Sequence, residues 1–219
     1  MTKTQVLERI RSVGIVPVVR APTVDDALRV CDAIRSGGID VIELTMTVPD
    51  PIKLLEELTK RWGDQVVVGA GTVLDPETAR ACILAGATFV VSPALDEATI
   101  SCCRTYGVPI LPGALTPTEI IRAVRAGADL VKVFPCGSMG GPSYIKALKA
   151  PLPHVDLIPT GGVSLANLAD YIRAGVSAVG AGAELVDIAK VKSGNAAAVT
   201  ETARKYVEII KQTRAEQAK

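Results

Sequence analysis

Histidine is almost missing from this chain of 219 residues, with His154 its single copy. A catalytic triad built on imidazole or a metal site with several histidines therefore has no material. Aromatic residues are scarce at 3%, too few for a base-stacking surface. Charge of one sign is equally absent: the formal net charge is +1, so no global field recruits nucleic acid or an anionic membrane. No uninterrupted apolar run reaches the roughly 18–20 residues of a membrane span. The five cysteines, Cys31, Cys82, Cys102, Cys103 and Cys136, lack metal or redox spacing. They are expected as free thiols in a reducing cytoplasm. The first residues, from Met1 to Ile10, have the polar amphipathic pattern of a helix start rather than of a signal peptide.

What is abundant is short apolar strands. Runs start near Gly14, Asp40, Val66, Phe89, Pro109, Leu130, His154 and Ala178, about 20–26 residues apart, the length of one strand, one helix and two loops. Apolar residues on both faces of these runs fit a buried parallel sheet. Between them lie helical patterns opened by capping signals at Thr23, Asp75-Pro76, Thr116-Pro117 and Ser164. Glycines recur just past the helices, as in Ala85-Gly86-Ala87, Ala126-Gly127-Ala128 and Ala174-Gly175-Val176. Eight strand–helix units predict an α/β fold of the (β/α)8 TIM-barrel type, with an open doubly wound sheet as the alternative. The barrel is expected to fill 1–219 as one domain. Residues 1–13 are expected to form an additional N-terminal helix closing the bottom, and Ala215 to Lys219 a frayed helix end.

One residue stands out from this apolar pattern. In Leu130-Val131-Lys132-Val133-Phe134-Pro135 the period of two puts Leu130, Lys132 and Phe134 on one face. Desolvation disfavours a charged amine, and a neutral amine is a nucleophile toward carbonyls. The plainer alternative is a lysine that snorkels out or pairs with a buried acid. Glu43, in Val41-Ile42-Glu43-Leu44-Thr45, is such an acid. It reads either as a salt-bridge partner of Arg20 or Lys132, or as a general acid/base tuned by burial.

Catalytic groups of this fold lie at the carboxyl ends of the strands. Those ends carry Arg20, Glu43, Thr45, Thr47, Thr72, Ser92-Pro93, Pro112-Gly113, Lys132, Phe134-Pro135, Thr160-Gly161-Gly162 and Gly180-Ala181-Gly182. Arg20 has the planar fork that captures a carboxylate. The paired glycine turns after the last two strands suit a phosphate held by backbone N–H groups. His154 begins the seventh strand, at the opposite end, so a histidine-based metal site or triad is not expected there. Cys136 is expected to be a bystander thiol.

With those residues placed, the chain resembles the 2-keto-3-deoxy-6-phosphogluconate aldolase family, class I aldolases that also cleave 4-hydroxy-2-oxoglutarate. The likeness runs from about Ile15 to Val186 and rests on motifs in register. They are Ile15-Val16-Pro17-Val18-Val19-Arg20, Ile42-Glu43-Leu44-Thr45, Val68-Gly69-Ala70-Gly71-Thr72-Val73, Val91-Ser92-Pro93, Leu111-Pro112-Gly113, the lysine strand, Gly141 to Leu148, and Pro159-Thr160-Gly161-Gly162-Val163. The resemblance implies a Schiff base on Lys132 with no cofactor or metal, and Glu43 as acid/base. It implies a pyruvyl pocket lined by Thr72, Pro93 and Phe134, and phosphate turns at Gly161, Gly162 and Gly182. It also implies small-molecule 2-keto acid and aldehyde substrates and a homotrimer.

Two positions depart from the family pattern. Thr47 stands where some members have an arginine for the pyruvyl carboxylate, which leaves Arg20 as the candidate for that task. Ala183 stands where many members have a serine near the phosphate, and the following Glu184 adds a negative charge. An aldolase for a non-phosphorylated or epimeric 2-keto-3-deoxy acid therefore stays open. So do a sugar-phosphate isomerase or epimerase on the same barrel, and a silent ligand-binding barrel.

Overall fold

A computed structural model describes residues 1–218. The chain alternates strands and helices from end to end. Helix α1 (Lys3–Val13) precedes β1 (Ile15–Val19), α2 (Val24–Ser36), β2 (Val41–Thr45), α3 (Pro51–Trp62), β3 (Val67–Gly71), α4 (Pro76–Leu84) and β4 (Val90–Val91). Then come α5 (Glu97–Thr105), β5 (Ile110–Leu111), β6 (Gly113–Ala114), α6 (Pro117–Ala126), β7 (Val131–Val133), α7 (Pro142–Lys149) and β8 (Leu157–Pro159). The chain ends with α8 (Leu168–Arg173), β9 (Val179–Ala181), α9 (Ile188–Lys192) and α10 (Ala196–Gln217). Every predicted apolar run contains a strand. The last helix runs on to Gln217, so the expected fraying from Ala215 is not seen there, and Lys219 lies outside the described residues.

All strand pairs are parallel, in a curled six-stranded sheet of order β5-β4-β3-β2-β1-β9 and a three-stranded sheet β6-β7-β8. The first strand lies between the second and the last, an order a doubly wound sheet does not have. The expected fifth strand is divided at Pro112, which has no N–H to give to a ladder. Its carbonyl still accepts from Lys132 N–H at 2.9 Å. On the other side the two sheets meet at a Thr160–Gly180 bridge.

Alternation along the strands separates two cores. Val16, Val41, Val67, Phe89, Leu130 and Ile158 point inward and pack with Val6 and Ile10 of α1. Val131, Val133, Ile42 and Leu44 point outward beneath the helices. Lys132 therefore shares the inner face with Leu130, as its period predicts. Helix α1 closes the floor of this inner core. Its basic side chains pair with aspartates preceding strands: Lys3 with Asp129 and Arg11 with Asp156, both at 2.8 Å, and Arg9 with Asp40.

Helix boundaries follow local chemistry. Thr23 and Asp75 accept the capping N–H groups of Asp26 and Thr78, and Thr116 forms a reciprocal box with Glu119. Gly127 ends α6 at φ 101°, in the left-handed region. The Ser164 side chain, in contrast, caps nothing, although its carbonyl accepts the Leu168 N–H at 3.0 Å. Helix α8 starts only at Leu168, because Asn167 turns back, accepting from Ser164 N–H at 2.9 Å and donating to the Gly162 carbonyl at 2.8 Å. Among the described residues no helix is long and apolar enough to cross a membrane.

Candidate active site

Lys132 and Glu43 come from strands that are not neighbours in the sheet order, so they meet across the interior. The Lys132 Nζ lies 3.9 Å from Glu43 Oε1, and the two side chains are only 4% and 3% exposed. Two such groups withdrawn from water need each other or a reacting partner. Glu43 Oε1 is buried and accepts no hydrogen bond from the protein. Burial pushes the Glu43 carboxyl up from the ordinary carboxylate range, with the charges of Lys132 and then Arg20 pulling the other way. The pair thus has the form of a proton-handling acid beside an amine. The Phe134 ring lies next to that amine, its centroid 5.2 Å from Nζ.

A missing side chain makes room for the acid. A Cβ on Gly71 would lie 2.0 Å from Glu43 Oε1, so the carboxylate fills the space that glycine leaves at the end of β3. Thr72, next in the chain and half-buried, has φ 57° in the left-handed region. A close approach of the same kind admits Pro93: a Cβ on Gly113 would lie 2.2 Å from the Pro93 carbonyl. The sequence assigns roles to Thr72 and Pro93, whereas Gly71 and Gly113 stand in its motifs with no role of their own. Glycines inside short strands, where no turn needs them, are the signal that marks such close approaches.

At the mouth, Thr45 is buried and donates its hydroxyl to the Val19 carbonyl at 3.0 Å, beside the exposed Arg20. Its oxygen is also 2.7 Å from that of exposed Thr47, which is left to donate. The two threonines thus join the end of β2 to the end of β1. Arg20 acts on Glu43 through its charge.

The glycine turns lie side by side. Thr160 is buried at the bridge, where a Cβ on Gly180 would fall 2.2 Å from its Oγ1. Gly161 and Gly162 follow at φ 87° and 80°, conformations that glycine adopts without strain. The chain after the lysine strand is clipped onto them, Cys136 N–H donating to Thr160 O at 2.9 Å and Gly137 N–H to Gly161 O at 2.8 Å. Gly182 faces open space and Ala183 is exposed. Cys136 itself is buried and its thiol is pushed up by desolvation, as suits a bystander.

Known proteins resemble this chain over most of its length. The family described as KDPG and KHG aldolase matches residues 6–202. The 2-dehydro-3-deoxy-phosphogluconate aldolase of Pseudomonas aeruginosa is 37% identical over 199 residues, 90% of each chain. The 2-dehydro-3-deoxy-6-phosphogalactonate aldolase of Escherichia coli is 36% identical over 172 residues, 78% of this chain and 83% of its own. The structure of KDPG aldolase from Legionella pneumophila, with pyruvate captured at low pH as a covalent carbinolamine intermediate, superposes with a TM-score of 0.85. It is 31% identical, covering 92% of this chain and 98% of that one. Nearly full-length matches of this kind, on a fold that brings the buried lysine and glutamate together, place the chain in the KDPG and KHG aldolase family.

Proposed function

We propose that the protein is a class I aldolase that reversibly cleaves 2-keto-3-deoxy-6-phosphogluconate to pyruvate and glyceraldehyde 3-phosphate. The same site serves 4-hydroxy-2-oxoglutarate, giving pyruvate and glyoxylate. One observation carries the mechanism: a buried amine with a buried, raised-pKa carboxyl 3.9 Å away. The covalent carbinolamine named for the Legionella relative supports it. The isomerase alternative gives no special use to a nucleophilic amine.

Lys132 attacks the C2 carbonyl, and the carbinolamine loses water to give an iminium, with Glu43 giving and taking the protons these steps require. Glu43 then accepts the proton of the C4 hydroxyl, directly or through a water. The C3–C4 bond breaks, its electron pair moving to C3 and into the iminium. The aldehyde leaves and an enamine remains. Protonation at C3 and hydrolysis release pyruvate and restore the amine. The electron sink is the iminium itself, so the chemistry calls on no metal or cofactor. Arg20 with Thr45, Thr47 and Thr72 holds the carboxylate, and Pro93 and Phe134 line the pyruvyl end. Thr160, Gly161, Gly162, Gly182 and Ala183 face the phosphate.

The two sheets work as one (β/α)8 barrel, closed by the Thr160–Gly180 bridge on one side and by the chain through Pro112 on the other. The assembly is a homotrimer, for which exposed Leu74 and Leu84 offer apolar surface. The five free cysteines fit the reducing cytoplasm. Incubation with pyruvate and borohydride, followed by peptide mass analysis, tests the mechanism. The expected result is a reduced pyruvyl adduct on the Lys132 peptide, with none formed and no turnover by Lys132→Ala. A folded protein without the adduct removes the imine mechanism.

A further inference from the structure

Glu184 follows the Gly182–Ala183 turn and is exposed, yet one of its oxygens makes two hydrogen bonds. Oε2 accepts the Leu165 N–H at 2.8 Å and the Tyr206 hydroxyl at 2.5 Å. Leu165 belongs to the turn that opens with Gly161–Gly162. Tyr206 is fully buried on α10, where desolvation, with the Glu184 charge adding to it, keeps its hydroxyl protonated as a donor. A single carboxylate thus ties the turn after β9 to the turn after β8, and both to the last helix.

This tie matters because of what the turns lack. Ala183 has no hydroxyl, and segments 160–165 and 180–187 carry no basic side chain. Recognition of an anion there falls to uncharged donors, the backbone N–H groups of the turns together with the hydroxyls of Thr160 and Ser164. The Ser164 N–H is already given to Asn167 and the Leu165 N–H to Glu184. Those of Gly162, Val163 and Ala183 donate to no protein acceptor among the described residues. Hydrogen bonds weaken steeply with poor distance and angle. A site built from the N–H groups of two separate turns therefore depends on the gap between them.

We propose that Glu184 is a positioning residue for the aldehyde end of the cleft, setting the spacing of the two glycine turns that hold the substrate phosphate. The proposal rests on the aldolase function above. It assigns the carboxylate a role as hydrogen-bond acceptor rather than as a charge directed at the ligand.

The test is condensation of pyruvate with glyceraldehyde 3-phosphate and with unphosphorylated glyceraldehyde, by the parent, Glu184→Ala, Glu184→Gln and Tyr206→Phe. Loss of hydrogen bonds to a charged acceptor predicts that Glu184→Ala raises KM for glyceraldehyde 3-phosphate about tenfold. KM for glyceraldehyde and trapping of pyruvate on Lys132 are expected to stay within about twofold. Glutamine keeps an acceptor oxygen and is expected to restore most of the loss. Tyr206→Phe removes one of the two donors and shifts KM the same way by a smaller factor, which keeps the test alive if the alanine variant does not fold. Equal losses with both aldehydes mean a general structural role and overturn the proposal. A glutamine variant as poor as alanine, a lowered KM in Glu184→Ala, or no change in it also overturns the proposal. A parent that forms no pyruvate adduct fails the aldolase function instead, a different result from any of these.

Discussion

Adding one methyl group at Gly71 should separate the acid from the amine without unfolding the protein. The new carbon would lie 2.0 Å from Glu43 Oε1 and 2.5 Å from its Cδ and Cγ. An ordinary contact is about 3.5 Å or more, so the carboxylate must retreat by about 1 Å or more. Its backbone sits in β3, outside the left-handed region, so alanine is locally acceptable. The stability cost is that of modest overpacking, about 1–3 kcal/mol. Catalysis is less tolerant: misplacing a reacting group by about 1 Å lowers the rate on the order of a hundredfold. Gly71→Ala is therefore expected to melt a few degrees below the parent and to lose about 10²-fold in kcat/KM for cleavage, followed by pyruvate release. Borohydride should still trap pyruvate on Lys132, more slowly, since the amine has not moved. Parental turnover in a folded Gly71→Ala would refute the idea that this glycine seats the acid.

Other consequences follow from the same geometry. The Glu43 carboxyl ionises near 4.5 in the unfolded chain and at higher pH in the folded one, where burial outweighs Lys132 and Arg20. Between those values the native state binds more protons, so stability falls as pH rises. Glu43→Gln should show a flatter melting temperature across that window and lose about 10²–10⁴ in turnover; a parent that gains stability there relative to the variant would contradict the sign. At the other end of the strands, Ile10 is fully buried in the floor of the inner core. Ile10→Ala should cost about 2–5 kcal/mol in denaturant unfolding while pyruvate trapping on Lys132 persists; loss of trapping in the folded variant would show that floor and mouth are coupled.

The residues legible in the sequence were those that break their own local pattern. Lys132 and Glu43 interrupt strands that are otherwise apolar on both faces, and a period of two was enough to turn them inward. The strands themselves could be located because each is short, apolar and punctuated by a capped helix and a glycine. What could not be read was set by partners distant in the chain or by side chains that are absent. Ser164 has the composition of a helix cap, but Asn167 competes for the same turn and delays α8. Pro112 sits inside an apolar run, and only the missing N–H in a ladder shows that it divides the strand. Glu184 read as a charge placed against the phosphate, because its acceptor role depends on Tyr206, 22 residues further on, and on Leu165 across the turn. Gly71 stood in the sequence only as one member of a motif, whereas in the fold it leaves a volume that the Glu43 carboxylate occupies. A side chain declares its chemistry in sequence, whereas a seat made by omitting one becomes visible only when the neighbour that fills it has been placed.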